Sequence, residues 1–114
     1  MAITYTKFFQ PTALTTSLAT LYTVPTIPAS SLLRGARVRL TNTSATPKVA
    51  RLYAVPAAGT ADDVNTFFSD QTVPAMGYVD VDVPIMQSGD ILQATATGGV
   101  GVNIQAIAGG VFSA

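Results

Sequence analysis

The stretch RGARVRLTNTSATPKVARLYAVP, residues 34–56, decides the fold class. Its first arm alternates: Ala36, Val38 and Leu40 fall on one face of an extended chain, and Arg37, Arg39 and Thr41 on the other. Alternation with a period of two marks a strand with one buried face. The polar run Asn42-Thr43-Ser44-Ala45-Thr46-Pro47 then turns the chain, because Asn and Ser side chains bond nearby backbone and Pro47 has no N–H to give. The second arm, residues 49–55, is rich in β-formers and stops at Pro56. The pattern predicts a hairpin at the centre of an all-β domain, with a loop of about six residues.

Working outward, residues 78–83 repeat the alternation, with Val79, Val81 and Val83 inward, Asp80 and Asp82 outward, and Pro84 as the stop. Further strands are predicted over 18–24, 64–69 and 91–97, and around Val102, Ile104 and Ala106. Residues 57–63 read as a loop with one helical turn capped by Thr60. Pro74 to Gly77, Gln87 to Asp90 and Gly98-Gly99 read as turns, and Gly109-Gly110 sets off a short apolar tail, Val111-Phe112. Seven to eight short strands with turn signals between them predict an antiparallel β-sandwich or jelly roll. Its expected core holds Val38, Leu40, Val79, Val81, Val83, Val102 and Ile104. The LYxVP motif occurs twice, at 21–25 and 52–56, and a single echo does not make a repeat architecture.

Residues 1–12 read as an N-terminal strand or docking arm ahead of a sandwich domain over 13–114. Ile3 and Tyr5 share one side of this segment, while Phe8 and Phe9 point opposite ways, so one of the two meets another surface. Residues 1–9 and the 111–114 tail are expected to pack on a neighbouring subunit or a larger surface, which makes Ile3, Tyr5, Phe8, Phe9 and Phe112 interface candidates.

Composition narrows the function. Charged residues make up 11% of the 114, against about 25% in an ordinary soluble domain, and mean hydropathy is +0.41. A surface so poor in charge favours association. Six basic and six acidic residues give a net charge of zero, which argues against a nucleic-acid partner. All six basic residues precede all six acidic ones. Two arrangements fit: pairing across strands of one sheet, or a basic patch on one subunit meeting an acidic patch on the next. In the second, Arg37 and Arg39 face Asp80 and Asp82 across an interface, and a head-to-tail contact closes into a ring, a trimer ahead of a dimer.

Histidine, cysteine and glutamate are absent. That excludes the usual Ser-His-Asp and Cys-His systems and His- or Cys-based zinc sites. Asp80 and Asp82 read as a solvated face opposite a valine row, not as a catalytic pair. Asp62, Asp63 and Asp90 match no calcium-loop pattern, and no Lys-Ser/Thr follows Gly98-Gly99-Val100-Gly101 to make a phosphate cradle. No catalytic residue, metal or cofactor is expected. The start at Met1 lacks the basic-then-apolar order of a secretion signal, and no apolar run is long enough to span a bilayer, so no membrane partner is expected.

Several motifs together resemble small virion structural proteins of tailed bacteriophages. They are Leu21-Tyr22-Thr23-Val24-Pro25, Val38-Arg39-Leu40-Thr41-Asn42-Thr43-Ser44, Leu52-Tyr53-Ala54-Val55-Pro56 followed by Gly59-Thr60-Ala61 and Asn65, and Ser88-Gly89-Asp90-Ile91-Leu92-Gln93-Ala94. In such relatives the first LYTVP tends to run into Ala-Gly, whereas Pro25-Thr26-Ile27-Pro28 stands here. The resemblance implies a non-enzymatic β-sandwich, most simply a head decoration (cement) protein. Such a protein is made in the host cytoplasm and sits on the capsid exterior, where it clamps neighbouring copies of the major capsid protein and associates with itself. A tail, collar or head-fibre component is the alternative within that class. A carbohydrate-binding module is the alternative outside it, since jelly rolls commonly bind sugars; the lack of Trp and the placing of the Tyr residues within strand patterns count against it.

Overall fold

Ten strands in two antiparallel sheets make up the computed structural model over the described residues, which are 2–5, 9–27, 31–97 and 101–113, with the side chains of 2–5, 112 and 113 outside the description. In chain order they are β1 (Ala2–Tyr5), β2 (Thr12–Ala13), β3 (Ala19–Thr23), β4 (Leu32–Asn42), β5 (Lys48–Val55), β6 (Thr66–Val73), β7 (Tyr78–Asp82), β8 (Met86–Gln87), β9 (Ile91–Ala96) and β10 (Val102–Ser113). Sheet A runs β1-β10-β4-β7, with β2 added on β10 and β8 on β4; sheet B runs β3-β9-β5-β6. Numbering only the eight longer strands in chain order, sheet A reads first-eighth-third-sixth and sheet B second-seventh-fourth-fifth. That is the order of a jelly roll, within the expected fold class.

Both alternating stretches are strands of sheet A, and they pair with each other: Val38 stands opposite Val81 and Leu40 opposite Val79. Val38, Leu40, Val81, Val83, Val102 and Ile104 are all buried, and Val79 packs against them half-buried. From sheet B, Leu52 and Leu92 meet this row, with Ala50, Ala94 and Ala96 between them as small residues that let the sheets approach. Leu33 and Ala36 both face inward although they are three apart. Gly35, at φ +66°, makes this possible by forming a bulge that resets the alternation.

The central hairpin is corrected. β4 and β5 lie in different sheets, and residues 43–47 carry the chain from one to the other as an arch. Asn42 is the reason. Its side chain is buried at the end of β4, with Nδ2 donating to the carbonyls of Thr46 (2.8 Å) and Val73 (3.1 Å). Its Oδ1 accepts from Ser44 N–H (2.9 Å) and Ser44 Oγ (2.7 Å). An amide satisfied in this way stands in for the backbone pairing a hairpin would have given.

Three local expectations also change. The single helical turn is a 3-10 turn at Asp63–Asn65, capped by Asp62 and not by Thr60: the Asp62 carboxylate accepts from Val64 N–H while Asn65 Oδ1 accepts from Asp62 N–H. Gly109-Gly110 does not set off a tail, because β10 continues through it to Ser113 and pairs with both β1 and β4. The proposed docking arm is, over Ala2–Tyr5, an edge strand on β10 of its own sheet, so the backbone of this segment and of 111–113 belongs to the sandwich.

Candidate assembly surface and a polar hollow

The register of sheet A decides where the charges go. Arg37 stands opposite Asp82 and Arg39 opposite Asp80 on adjacent strands, all on the outer face. Arg37 Nε donates to Asp82 Oδ1 at 2.9 Å; Arg39 donates twice to Asp80, through Nε at 2.8 Å and Nη2 at 3.1 Å. Of the two arrangements that fit the sequence, the rows take the first and pair across strands of one sheet, because β7 returns beside β4 in the register that sets opposite charges side by side. Hydrogen bonding to Arg39 holds the Asp80 carboxyl below the usual carboxylate range, and the same bond raises Arg39.

On sheet B, Arg51 lies between Asp63 and Asp70, with Nη1 at 3.5 Å from Asp63 and Nη2 bonded to Asp70. Tyr53 first and Asp70 second raise Arg51 above its ordinary value, while its Nε is buried without a hydrogen-bond partner among the described residues. Asp70 itself sits at φ +49° where the β5–β6 register shifts. Asp62 caps the 3-10 turn, Asp90 binds backbone, and Arg34 and Lys48 have partners of their own. Arg37, Arg39, Arg51 and the six aspartates are thus all engaged through their side chains within the chain.

Uncharged surface remains, and it differs between the two ends of the sandwich. At one end the β3–β4, β5–β6 and β7–β9 connections are stitched together by Asp90. Its carboxylate accepts from Gln87 N–H (2.9 Å) and Ala57 N–H (3.2 Å), and its carbonyl accepts from Val24 N–H (2.9 Å). Ser88 Oγ donates to the Pro25 carbonyl at 2.9 Å. Gly89, at φ +85°, passes so close to Ala57 that a Cβ there would come within 2.9 Å of the alanine methyl. These three connections carry Ile27, Val64 and Ile85, exposed by 88%, 94% and 65%.

At the opposite end a hollow of about 370 Å³ opens on the outer face of sheet A, beside the β6–β7 turn. Arg39, Thr41 and Gln105 line it from β4 and β10, and Met76 and Tyr78 from the turn and the start of β7. The Arg39 guanidinium lies 4.4 Å from the centre of the Tyr78 ring, a cation–π contact.

Of the interface candidates, Arg37, Arg39, Asp80 and Asp82 form the intrachain ladder. Phe9 is corrected: it is buried in its own core and joins the main apolar cluster. Phe8 and the side chains of Ile3, Tyr5 and Phe112 lie outside the described residues. Sequence reading missed Ile27 and Ile85, which sit in loops with no period to betray them, and the hollow, whose lining comes from separate stretches of chain. The same reading put Val64 in a strand over 64–69, whereas Val64 lies in the 3-10 turn and β6 begins at Thr66. Among the described residues no group of three or more acidic side chains is placed to hold a metal, and no helix is long and apolar enough to cross a membrane.

No family model and no curated protein matches the sequence. The fold is similar to that in the solved Bacillus endospore appendages, described as a novel family of disulfide-linked pili, at TM-score 0.55 and 15% identity over 97% of this chain and 88% of that one. It is also similar to chains of infectious bursal disease virus. The Gx strain gives TM-score 0.47 and 12% identity, and the Gt strain 0.41 and 13%; each match covers 96% of this chain and 31% of the viral one. The likeness is one of fold. The disulfide linkage of the pili has no counterpart in this cysteine-free sequence.

Proposed function

We propose that the protein is a non-enzymatic structural subunit of a tailed-phage virion, a head decoration protein that clamps neighbouring major capsid subunits from outside. The observation that carries this reading is the stitched end of the jelly roll. Its three aliphatic side chains, Ile27, Val64 and Ile85, stand out on connections that Asp90 links, while the Arg37/Asp82 and Arg39/Asp80 charges pair within the chain. Exposed and aliphatic is what a docking end requires, because burial there gains apolar contact. The sequence resemblance supplies the partner, and the pilus-type fold is in keeping with a building block. Clamping acts by mass action: a subunit that binds only the assembled shell stabilises it over its parts. Self-association, as a trimer ahead of a dimer, belongs to the same proposal and rests on the uncharged surface, not on the Arg/Asp rows.

The test uses phage particles from the genome that encodes the chain. Purified protein should sediment with capsids that lack it, and electron microscopy should locate it on the head. Ile27→Asp combined with Ile85→Asp should keep the far-ultraviolet β spectrum and lose attachment by about tenfold or more. Location on the tail or collar would replace the decoration reading with its alternative, and full attachment by the double variant would remove the docking end.

A further inference from the structure

We infer that the hollow beside the β6–β7 turn is a binding site for a neutral saccharide. This goes beyond the capsid reading and does not depend on it.

The floor is set by register. On the outer face of sheet A, Arg39 of β4 has Gln105 of β10 on one flank and Asp80 of β7 on the other, and Thr41 has Tyr78 beside it. The floor therefore sets a guanidinium, an amide and a hydroxyl side by side. The Gln105 amide, the Thr41 hydroxyl and the Tyr78 hydroxyl belong to residues that line the hollow, where they can bond a ligand. Sugar hydroxyls both donate and accept, and a mixed floor of this kind suits adjacent hydroxyls on one ring.

Charge selects for neutrality. Arg39 and Asp80 are joined by two hydrogen bonds and cancel each other. Asp80 lies outside the hollow but takes two N–H groups of Arg39, the one charged side chain in the lining, so an anion finds that guanidinium already paired and a cation is repelled by it. An uncharged polyhydroxyl compound meets neither penalty.

The wall supplies the apolar half. Tyr78 is 58% exposed although Arg39 covers part of its ring, which leaves aromatic surface for the C–H face of a sugar. Met76 stands at the rim, 75% exposed, with its backbone at φ +54°. A non-glycine residue in that left-handed region costs free energy, and such positions cluster at ligand clamps. The turn is held there from outside: Met76 N–H donates to the Ser44 carbonyl (3.1 Å), and Asn42 N–H donates to the Gly77 carbonyl (2.8 Å). The rim is preorganised by the same arch that carries the chain between sheets. At about 370 Å³ the hollow falls at the small end of the usual range for ligand sites.

The test is a nuclear magnetic resonance titration of the full chain with maltose, cellobiose, lactose and N,N′-diacetylchitobiose. At least one should give saturable shifts at the Gln105 side-chain amide, the Met76 methyl and the Tyr78 ring, with Kd of about 0.1–10 mM. Tyr78→Ala and Gln105→Ala, both on the outer face, should each weaken binding by about tenfold, while Ile27→Asp at the opposite end should not change it. Three results would overturn the inference. One is no saturable shift with any of the four sugars up to about 50 mM. The second is shifts that survive both variants. The third is the same residues shifting with protein concentration alone, which would assign the hollow to a second copy. Tyr78→Ala should still attach to capsids, so loss of sugar binding and loss of capsid binding are read separately.

Discussion

Each end of the sandwich is gathered by one polar side chain, and the two do different work. Asn42 is buried, neutral and satisfied on both its oxygen and its nitrogen, and it joins β4 to the arch and to the last residue of β6. Asp90 is half-buried; its carboxylate ties the β5–β6 connection to its own by accepting backbone N–H groups, and its carbonyl adds the β3–β4 connection. Asn42 sits where the chain changes sheets, so it helps decide topology. Asp90 sits beyond the strand ends, so it positions loops on a topology already set. Polar groups of the first kind are specified by what they would leave unpaired, those of the second by what they hold in place.

Asn42→Ala breaks the comparison most strongly. It strands the buried Val73 carbonyl, leaves the Thr46 carbonyl to Ser44 Oγ, and should cost about 2 kcal/mol, lowering Tm by about 8 °C in a thermal melt. Asn42→Asp should do at least as much harm, because its carboxylate would face the Thr46 and Val73 carbonyls. If either variant melts like the wild type, the arch does not depend on this amide.

Asp90→Ala comes next. It should cost about 1.5 kcal/mol and speed hydrogen exchange at the Ala57 and Gln87 amides, leaving protection in β4 and β10 intact. Equal loss of protection in both sheets would show that the two ends are not separable.

The smallest effect belongs to the outer ladder, which tests whether exposed pairs contribute at all. Because Asp80 is held below its unfolded pKa by Arg39, its contribution is complete above the ordinary carboxylate range and is lost as pH falls through the folded value. The stability gap between wild type and Asp80→Asn should therefore shrink below about pH 4. A gap constant across that range would assign the effect of the variant to something other than charge.

The facing pattern was legible in the sequence and the partners were not. Alternation marked Val38, Leu40 and Val81 as inward and Arg37, Arg39, Asp80 and Asp82 as outward, because side-chain direction in a strand is local. It is silent on which strand lies alongside, so β4 and β5 looked like a hairpin although Asn42 sends them to different sheets. In a polar run, a buried Asn reads the same as a turn Asn. Gly109-Gly110 looked like a break for the same local reason, and only pairing with β4 and β1 keeps it extended. The hollow was beyond reach: Gln105, Arg39 and Tyr78 come from three stretches of chain and meet only once β10, β4 and β7 lie in order.

That order also constrains how the protein can be made. β10 is the neighbour of β1, β2 and β4, yet it is translated after all of them. Until it emerges from the ribosome, β1 has no partner and β4 keeps one unpaired edge, open to pairing with other chains. Contacts this distant in sequence make for slow folding, and here the slow step waits on the synthesis of β10. Sheet A is completed only once β10 has been made, and a nascent chain halted before residue 102 lacks the strand that closes it.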